Sequence, residues 1–354
     1  MTTALTLEAR KQTAFEHARS GQYAEAVSLL LSVLKETPHD VPSLVLLGDV
    51  QHAAGQTQDA SLAYKNALQV LQLSGGQVPP ALHQGIRRAQ ARLGEYAQAY
   101  EAFIEGELPK SARSSRFDQS VDILLGKSGI YLQQPTRYYF PGLPQIQFYD
   151  TADFAWVPEL EAKTADIKNE LMGVLADHAA FRPYLERVDS QPNVKSHALV
   201  GNDDWSAFYL WKDGERVEEN CARCPITAAA FENIPLDYLP GQAPSVLFSL
   251  LKPGAHIPPH HGLINTRLIC HLPVLVPGPA WLRVGSDTRH WQEGKVCIFD
   301  DSVEHEAKNE ADQTRVVLLF DIWRPELSAQ ERAEVTKFLG AISTYSGQKI
   351  VSGN

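Results

Sequence analysis

Cysteine, positive charge and long apolar runs are all scarce in this sequence of 354 residues. Its four cysteines are too few for a disulfide framework and fit a reducing compartment. The formal net charge of −10 argues against a nucleic-acid-binding protein, which needs clustered lysine and arginine to contact phosphate. No apolar run reaches the roughly 18 residues of a membrane span, and the first residues lack the basic and apolar regions of a signal peptide. We therefore expect a cytoplasmic protein with no membrane span and no nucleic-acid partner.

Residues 7–72 contain an internal repeat. Positions 34 apart carry matching residues: Gly21 and Gly55, Ala26 and Ala60, Leu30 and Tyr64, Val33 and Ala67. A third copy, shifted by an insertion at 74–77, carries Gly94, Tyr96, Ala99 and Phe103. Small residues let two helices approach, and a glycine makes the turn between them. The period resembles the tetratricopeptide repeat and predicts a helical solenoid over residues 1–110, whose concave face would bind a protein partner. The alternatives are an ordinary helical bundle and a purely structural or dimerising role.

The pattern changes after the repeats. Residues 111–137 are irregular and form a predicted connecting segment. From residue 205 onward, short runs rich in β-branched and aromatic residues are separated by Gly, Pro and Asp, which is typical of a sandwich or barrel. We predict a jelly roll, or double-stranded β-helix, over residues 138–341, followed by a polar tail at 342–354. The whole chain is therefore expected to be an α+β multidomain protein.

Histidines mark two separate β-type segments. The first segment is a His-rich turn that contains His256, His260 and His261, and the second ends at His305. Two such histidines suggest a mononuclear metal centre, but Gly262 stands where the usual His-x-Asp motif has its carboxylate ligand. Either the metal has only two protein ligands, or the histidines of the turn are surface loop residues and no such metal binds.

Arg315 favours the metal-site interpretation. It begins an apolar strand, and an arginine inside a barrel is costly unless it pairs with an anion. Its planar guanidinium suits a carboxylate such as the distal one of 2-oxoglutarate. Ser249 on an earlier strand would add a hydroxyl donor, and His271 would face the other carboxylate. The alternatives are that Arg315 reaches the surface and that His271 is a satisfied core histidine.

Residues 138–326 resemble the aspartyl/asparaginyl β-hydroxylase family of Fe(II)/2-oxoglutarate dioxygenases. The matching stretches are Tyr139–Leu143, Trp205–Trp211, Phe248–Gly262, Asn265–Leu272, Trp291–Glu306, Arg315 and Asp321–Leu327. In that family a glycine replaces the carboxylate ligand, and tetratricopeptide repeats precede the catalytic domain. The resemblance implies that His260 and His305 bind iron. It also implies that Trp205, Ser249, His271 and Arg315 surround 2-oxoglutarate.

One departure from the family concerns the substrate. Peptide-hydroxylating members carry a second arginine two positions after the one that matches Arg267, where this sequence has Ile269. Arg267 is still expected to bind a substrate carboxylate. The resemblance implies a hydroxylase that uses Fe(II), 2-oxoglutarate and O2, with His260, His305 and Arg315 as its catalytic residues. Its substrate would be an Asp or Asn residue of a peptide or protein, or a small aspartate-like amino acid. The alternatives are a lipid acyl-chain hydroxylase and a repeat-based adaptor with a degenerate, non-catalytic jelly roll.

Two further pairs of residues have weaker interpretations. Cys221 and Cys224 form a single CxxC motif without a second pair, so free thiols are expected instead of a zinc site. A redox-dependent disulfide beside the substrate entrance is the alternative. Asp300 and Asp301 precede His305 and are expected to form a turn or to orient a metal ligand, not to bind the metal.

Overall fold

A computed structural model gives the structure of this protein and describes residues 6–177, 180–184, 201–347 and 349–350. The chain divides into two compact units, Met1–Ser128 and Gly129–Asn354. The helices of the first unit are α1 (Leu7–Arg19), α2 (Tyr23–Glu36), α3 (Val41–Ala53), α4 (Thr57–Leu73), α5 (His83–Glu107) and α6 (Ser115–Leu124). Among the described residues, no helix combines the length and the apolar composition needed to cross a membrane.

The second unit contains five helices and eleven strands among its described residues. Its helices are α7 (Val157–Ala162), α8 (Thr164–Leu175), α9 (Glu218–Arg223), α10 (Pro225–Ala229) and α11 (Ala329–Ser346). Its strands are β1 (Arg182–Pro183), β2 (Trp205–Lys212), β3 (Glu215–Arg216), β4 (Val246–Leu251), β5 (His256–His260), β6 (Arg267–Leu275), β7 (Ala280–Val284), β8 (Asp287–His290), β9 (Cys297–Phe299), β10 (His305–Asn309) and β11 (Arg315–Trp323).

The first two copies of the repeat each fold as a helical hairpin. Gly21 joins α1 to α2 with φ +76°, and Gly55 joins α3 to α4 with φ +75°. Only glycine adopts this backbone conformation without strain. A Cβ atom at Gly48 would lie 2.5 Å from the Tyr64 ring, so the absence of a side chain lets α3 and α4 pack closely. The same sequence positions therefore produce the same turn in both copies.

The prediction for the third copy is wrong. Gly94 was expected to make a turn, but it lies inside α5, a continuous helix of 25 residues. In the first two copies the glycine is followed by Gln22 or Gln56, which precedes the next helix. After Gly94 comes Glu95, a good helix former that pairs with Arg92 one turn earlier. A glycine in a helix costs only about 1 kcal/mol, which a long packed helix tolerates.

The second unit is built on two antiparallel sheets. The larger sheet has the strand order β1-β2-β4-β11-β6-β9 with β3 beside β2, and the smaller has the order β5-β10-β7-β8. From β4 to β11 the chain passes back and forth between the larger and the smaller sheet, except that the hairpin of β7 and β8 stays in the smaller one, and this is the winding of a jelly roll. The predicted order, a helical region followed by an antiparallel β domain, is confirmed.

The two sheets pack face to face. Leu247, Val317 and Leu319 of the larger sheet form one apolar core with Ile257 and Leu282 of the smaller sheet. Alternate residues of a strand face the same side, so Arg315 and Asp321 share the inner face of β11 with the last two of these core residues. On β6 the same alternation places Arg267, Ile269 and His271 on the inner face. Charged side chains therefore lie in the space between the sheets.

The His-rich segment is a strand and not the expected turn. His256–His260 forms β5 although it contains Pro258 and Pro259. Proline cannot donate a backbone hydrogen bond, but an edge strand needs only one hydrogen-bonded side. Among the described strands β5 is the edge of the smaller sheet and pairs only with β10, so the prolines are accommodated. This pairing brings His260 directly opposite His305.

Candidate active site

Two histidines face each other at adjacent strand positions. His260 is the last residue of β5 and His305 the first of β10, and their ring centroids are 4.0 Å apart. His260 Nδ1 lies 2.9 Å from the Pro258 carbonyl oxygen, and His305 Nδ1 lies 3.1 Å from that of Val303. Carbonyl oxygens only accept hydrogen bonds, so each Nδ1 carries the ring proton and each Nε2 carries a lone pair. Both predicted ligands are thus brought together in a metal-binding tautomer.

Burial keeps the His305 ring uncharged. Its side chain is 8% exposed, and burial together with the neighbouring His260 lowers its pKa well below the usual value. Neutral imidazole is the form that binds metals. Within the described ranges, no group of three or more His, Cys, Asp or Glu side chains is arranged to hold a metal ion. A metal bound here would therefore take its described protein ligands from these two histidines.

Asp301 fills the space beside Gly262. A Cβ atom at Gly262 would lie 2.1 Å from Asp301 Oδ2, and the Gly262 N–H donates to the Asp301 carbonyl oxygen at 2.7 Å. Asp301 thus occupies the space that any side chain at position 262 would need. Burial raises the pKa of Asp301 to about 7, and the nearby Arg267 opposes this rise.

Arg315 is a buried cation without an acidic partner. Its side chain is 1% exposed and lies over the Trp291 ring, 4.0 Å from the ring centroid. Nη1 donates to the Ser249 carbonyl oxygen at 3.4 Å, and Nε has no hydrogen-bond partner. Among the described residues no carboxylate lies within ion-pair distance, and burial lowers the pKa of Arg315 to about 9. Because a buried charge is costly without a counter-ion, Arg315 marks a site for an anion.

The other predicted cosubstrate residues lie around Arg315. Trp205 Nε1 donates to Ser249 Oγ at 3.0 Å, which orients this hydroxyl on the strand beside the arginine. The His271 ring lies 5.7 Å from Trp291, the same ring that Arg315 covers. His271 Nδ1 is buried without a hydrogen-bond partner in the described part of the chain. Burial, with a smaller effect from Arg315, lowers the pKa of His271 to about 3, so the imidazole is neutral.

Arg267 lies at the opposite end of the interior and already has acidic partners. Its Nη1 is 3.0 Å from Asp321 Oδ2, and its Nη2 is 3.6 Å from Asp301 Oδ2. Burial lowers the pKa of Arg267, but the carboxylates of Asp321, Asp301 and Asp237 raise it overall. Ile269, the next inward residue of β6, adds an apolar surface. The predicted role of Arg267 in binding a substrate carboxylate stays a prediction.

Arg324 was not among the residues expected from the sequence, and it belongs to a hydrogen-bonded network that holds the turn before His305. Arg324 is fully buried, pairs with Asp300 Oδ2 at 3.1 Å and donates to the Tyr149 hydroxyl at 2.7 Å. Asp300 also accepts from the Ser302 backbone N–H at 3.0 Å and from Gln133 Nε2 at 2.7 Å. This confirms that Asp300 holds the turn before His305. These partners lie far apart in the sequence, so no local pattern could have revealed the network.

The cysteines of the CxxC motif are free thiols. Cys221 and Cys224 are 1% and 0% exposed, and neither forms a disulfide. Burial raises the pKa of Cys221, and burial together with the carboxylate of Glu170 raises the pKa of Cys224 to about 12. A thiol that does not ionise is a poor nucleophile, so these residues are inert parts of the core beneath the larger sheet.

The β domain is thus an antiparallel jelly roll whose interior holds two opposed histidines and an arginine that has no carboxylate partner among the described residues. Residues 161–325, which include most of the β domain, match the family model described as aspartyl/asparaginyl beta-hydroxylase.

Curated relatives share this domain. Ornithine lipid ester-linked acyl 2-hydroxylase of Rhizobium tropici is 38% identical over 53% of this chain and 64% of its own length. Human aspartyl/asparaginyl beta-hydroxylase is 39% identical over 36% of this chain and 17% of its own length. Aspartate beta-hydroxylase domain-containing protein 2 of Xenopus tropicalis is 30% identical over 68% of this chain and 62% of its own length. The chain thus spans less than two thirds of each of these three relatives.

Solved structures that resemble this chain include the cupin domain of Schizosaccharomyces pombe Cnp3, with a TM-score of 0.21 and 12% identity over 23% of this chain and 57% of that one. KdgF of a Halomonas species has a TM-score of 0.22 and 11% identity over 35% of this chain and 83% of that one. Both similarities are weak.

Proposed function

We propose that this protein is a hydroxylase that depends on iron(II) and 2-oxoglutarate. The observation that carries the proposal is Arg315, a buried guanidinium with no carboxylate partner among the described residues, in the same interior as two opposed histidines. A dicarboxylate whose far end pairs with Arg315 would supply the missing negative charge. The match of residues 161–325 to the aspartyl/asparaginyl beta-hydroxylase family model supports this assignment.

The residues present fit both groups. His260 and His305 would hold the iron through Nε2, because their Nδ1 atoms are already oriented by backbone carbonyls. Arg315 would hold the far carboxylate of 2-oxoglutarate, with the Ser249 hydroxyl beside it. The unpartnered His271 Nδ1 offers one further polar contact to the same molecule.

When bound, iron and 2-oxoglutarate supply the oxidising power that places one atom of O2 on an unactivated C–H bond. The protein would position the two bound groups and exclude water from them. Trp291 and Trp205 lie at the end of the interior where Arg315 would bind 2-oxoglutarate. The cation–π contact with Trp291 helps to orient the Arg315 guanidinium. The Arg324–Asp300 network fixes the turn before His305, so the spacing of the two imidazoles is set before any ligand binds.

Two curated relatives support two different substrate classes. Human aspartyl/asparaginyl beta-hydroxylase, at 39% identity, supports β-hydroxylation of an Asp or Asn residue or of a small aspartate-like amino acid. The acyl 2-hydroxylase of Rhizobium tropici supports a second candidate, hydroxylation of a lipid acyl chain. The apolar Ile269, which lies between Arg267 and His271 on the inner face of β6, favours this candidate, since it lines the interior with hydrocarbon instead of a second guanidinium.

The decisive experiment removes one metal ligand. We expect His305→Ala to abolish succinate formation from 2-oxoglutarate and to weaken the binding of iron(II), or of an inert divalent substitute, measured by calorimetry. The matched control is His256→Ala on the same edge strand, since His256 is exposed and bonded to Glu306 and should leave turnover unchanged. Normal succinate formation by His305→Ala would contradict the proposal. A protein that bound neither metal nor 2-oxoglutarate would instead be the non-catalytic adaptor.

A further inference from the structure

The end of the interior that contains Arg267 has more acids than bases. Asp321 and Asp301 both contact this guanidinium, and Asp237 lies beside them because its backbone N–H donates to the Asp321 carbonyl oxygen at 3.3 Å. We call Asp237, Asp301, Asp321 and Arg267 the acid-rich cluster. It adjoins the metal site, since Asp301 packs against Gly262 in the loop after His260.

The acids of this cluster are not all satisfied. Asp237 is fully buried, and neither of its carboxyl oxygens has a hydrogen-bond partner among the described residues. Asp301 Oδ1 is buried and unpartnered as well. Against these three acceptors the cluster has one unpartnered donor, Arg267 Nε. Buried polar atoms in native proteins are nearly always paired, so such an excess of acceptors points to a missing donor.

Electrostatics indicates the same kind of ligand. Burial raises the pKa of Asp237 to about 8; the nearby Arg267 opposes this rise and the carboxylates of Asp321 and Asp301 add to it. Arg332 is a second cation that acts on Asp237, so the three acids still outnumber the two guanidinium groups near them. Arg267 and Asp301, at 8% and 5% exposure, are the least buried members of the cluster.

The missing donor is an organic cation and not a metal ion. In the described part of the chain no three acidic, histidine or cysteine side chains are arranged as metal ligands. An ammonium group has three N–H donors and one positive charge, which match three unpartnered acceptor oxygens in both respects. Water could satisfy the oxygens but, unlike an ammonium, would not favour the ionised form of the acids.

We propose that the substrate carries a primary ammonium group, which binds in the acid-rich cluster while the carbon to be hydroxylated lies next to the two histidines. This inference rests on the proposed function, and it names a substrate class for the same site. The interior then binds two ligands of opposite charge, the cosubstrate carboxylate at Arg315 and the substrate ammonium at Asp237, Asp301 and Asp321. A substrate that presents a free aspartate side chain to this cluster would meet three acids and is disfavoured.

Binding of small amines tests the proposal without requiring turnover. The full-length protein, loaded with 2-oxoglutarate and a redox-inert divalent metal, is titrated by calorimetry with Nα-acetyllysine amide and Nα-acetylornithine amide. Their side-chain N-acetylated derivatives are the matched neutral controls, and an aspartate-containing peptide is the third arm. We expect each amine to bind at least about tenfold more tightly than its acetylated control, because an ammonium–carboxylate hydrogen bond is worth more than a neutral one. Equal affinity of amine and control, or preferential binding of the aspartate peptide, would overturn the proposal.

A variant assigns the preference to the cluster. Asp237→Asn keeps the shape and removes one acid, and we expect it to bring the affinity ratio of amine to acetylated control close to one. Asp312→Asn, an exposed position, is the control and should keep the wild-type ratio. An unchanged ratio in Asp237→Asn would contradict the assignment. Succinate formation is measured in parallel: its absence would reject the proposed function, whereas the binding ratio alone decides whether the site prefers an ammonium.

Discussion

The two ends of the inner face of β11 carry opposite charge imbalances. At one end Arg315 is buried with no acid beside it in the described part of the chain, and at the other Asp321 is buried in a group of three acids around Arg267. Both ends lie between the same two sheets, and the apolar Val317 and Leu319 separate them along the strand. The comparison suggests that each end is complete only when a ligand of the opposite charge is bound.

A third buried arginine shows what a balanced site looks like. Arg324 is as deeply buried as Arg315, but it pairs with Asp300 and donates to the Tyr149 hydroxyl and to the carbonyl oxygens of Pro144 and Asn265. A buried ion pair contributes to a fold only when its remaining hydrogen bonds are also satisfied. Arg324 meets this condition and therefore needs no ligand. Burial of an arginine does not by itself indicate function; the absence of a partner does.

The largest effect is expected at the cationic end. Arg315→Met should weaken 2-oxoglutarate binding by about 100-fold, because it removes the charged half of a buried ion pair. The same change should leave the protein without cosubstrate as stable as the wild type or more stable, since an unpaired buried charge disappears. Calorimetry and thermal unfolding measure the two effects.

The control for this variant is Arg289→Met, which removes a half-exposed guanidinium that lies over Phe148. It should leave the affinity for 2-oxoglutarate unchanged. If Arg315→Met bound 2-oxoglutarate as the wild type does, the anion site would lie elsewhere. The proposal that the two ends of β11 bind ligands of opposite charge would then be rejected.

A smaller effect is expected where the acidic end meets the metal site. Gly262→Ala places a Cβ atom at the position of the Asp301 carboxylate, so Asp301 must move away from Arg267. We expect a loss of about 1–3 kcal/mol in the free energy of unfolding, the usual cost of overpacking. All six tryptophans of the chain lie in the second unit, so tryptophan fluorescence in urea reports on the unfolding of that unit.

Gly340→Ala is the control for Gly262→Ala. Gly340 lies inside α11 with no atom near its Cβ position, so alanine should stabilise the helix by about 0.5–1 kcal/mol. Equal stability changes for the two variants would mean that Asp301 is not confined by Gly262.

The sequence revealed those parts of the site that follow from strand alternation and residue chemistry. Arg315 at the start of an apolar run and His305 after another are visible because a strand of such composition is buried, and a charged residue in it is conspicuous. The same alternation could have identified Asp321, which is in phase with Arg315 on β11. The resemblance supplied the pairing of His260 with His305, which no spacing determines.

Other features could not be predicted from local sequence. Gly94 carries the same pattern as Gly21, and only the following residue separates a turn from a continuous helix. The two prolines of β5 argue against a strand unless its position at the sheet edge is known. Asp237 lies outside any strand or helix, and its importance depends on contacts with residues 30 or more positions away.

The smallest effect tests whether the acidic end is strained before a ligand binds. Burial raises the pKa of Asp237 from 3.8 to about 8, so between these values the folded state holds a proton that the unfolded state releases. The contribution of Asp237 to stability is therefore present at low pH and is lost as pH rises through this range. Asp237→Asn cannot ionise, so its stability relative to wild type should increase from about pH 5 to about pH 8, by at least about 1 kcal/mol. The exposed Asp312→Asn should show no such trend. Nα-acetyllysine amide should reduce the difference at the higher pH, because an ammonium stabilises the ionised wild-type cluster and not the variant. If the stability difference between Asp237→Asn and the wild type did not change with pH, the Asp237 carboxyl would already have a partner within the protein. The acidic end would then need no cationic ligand.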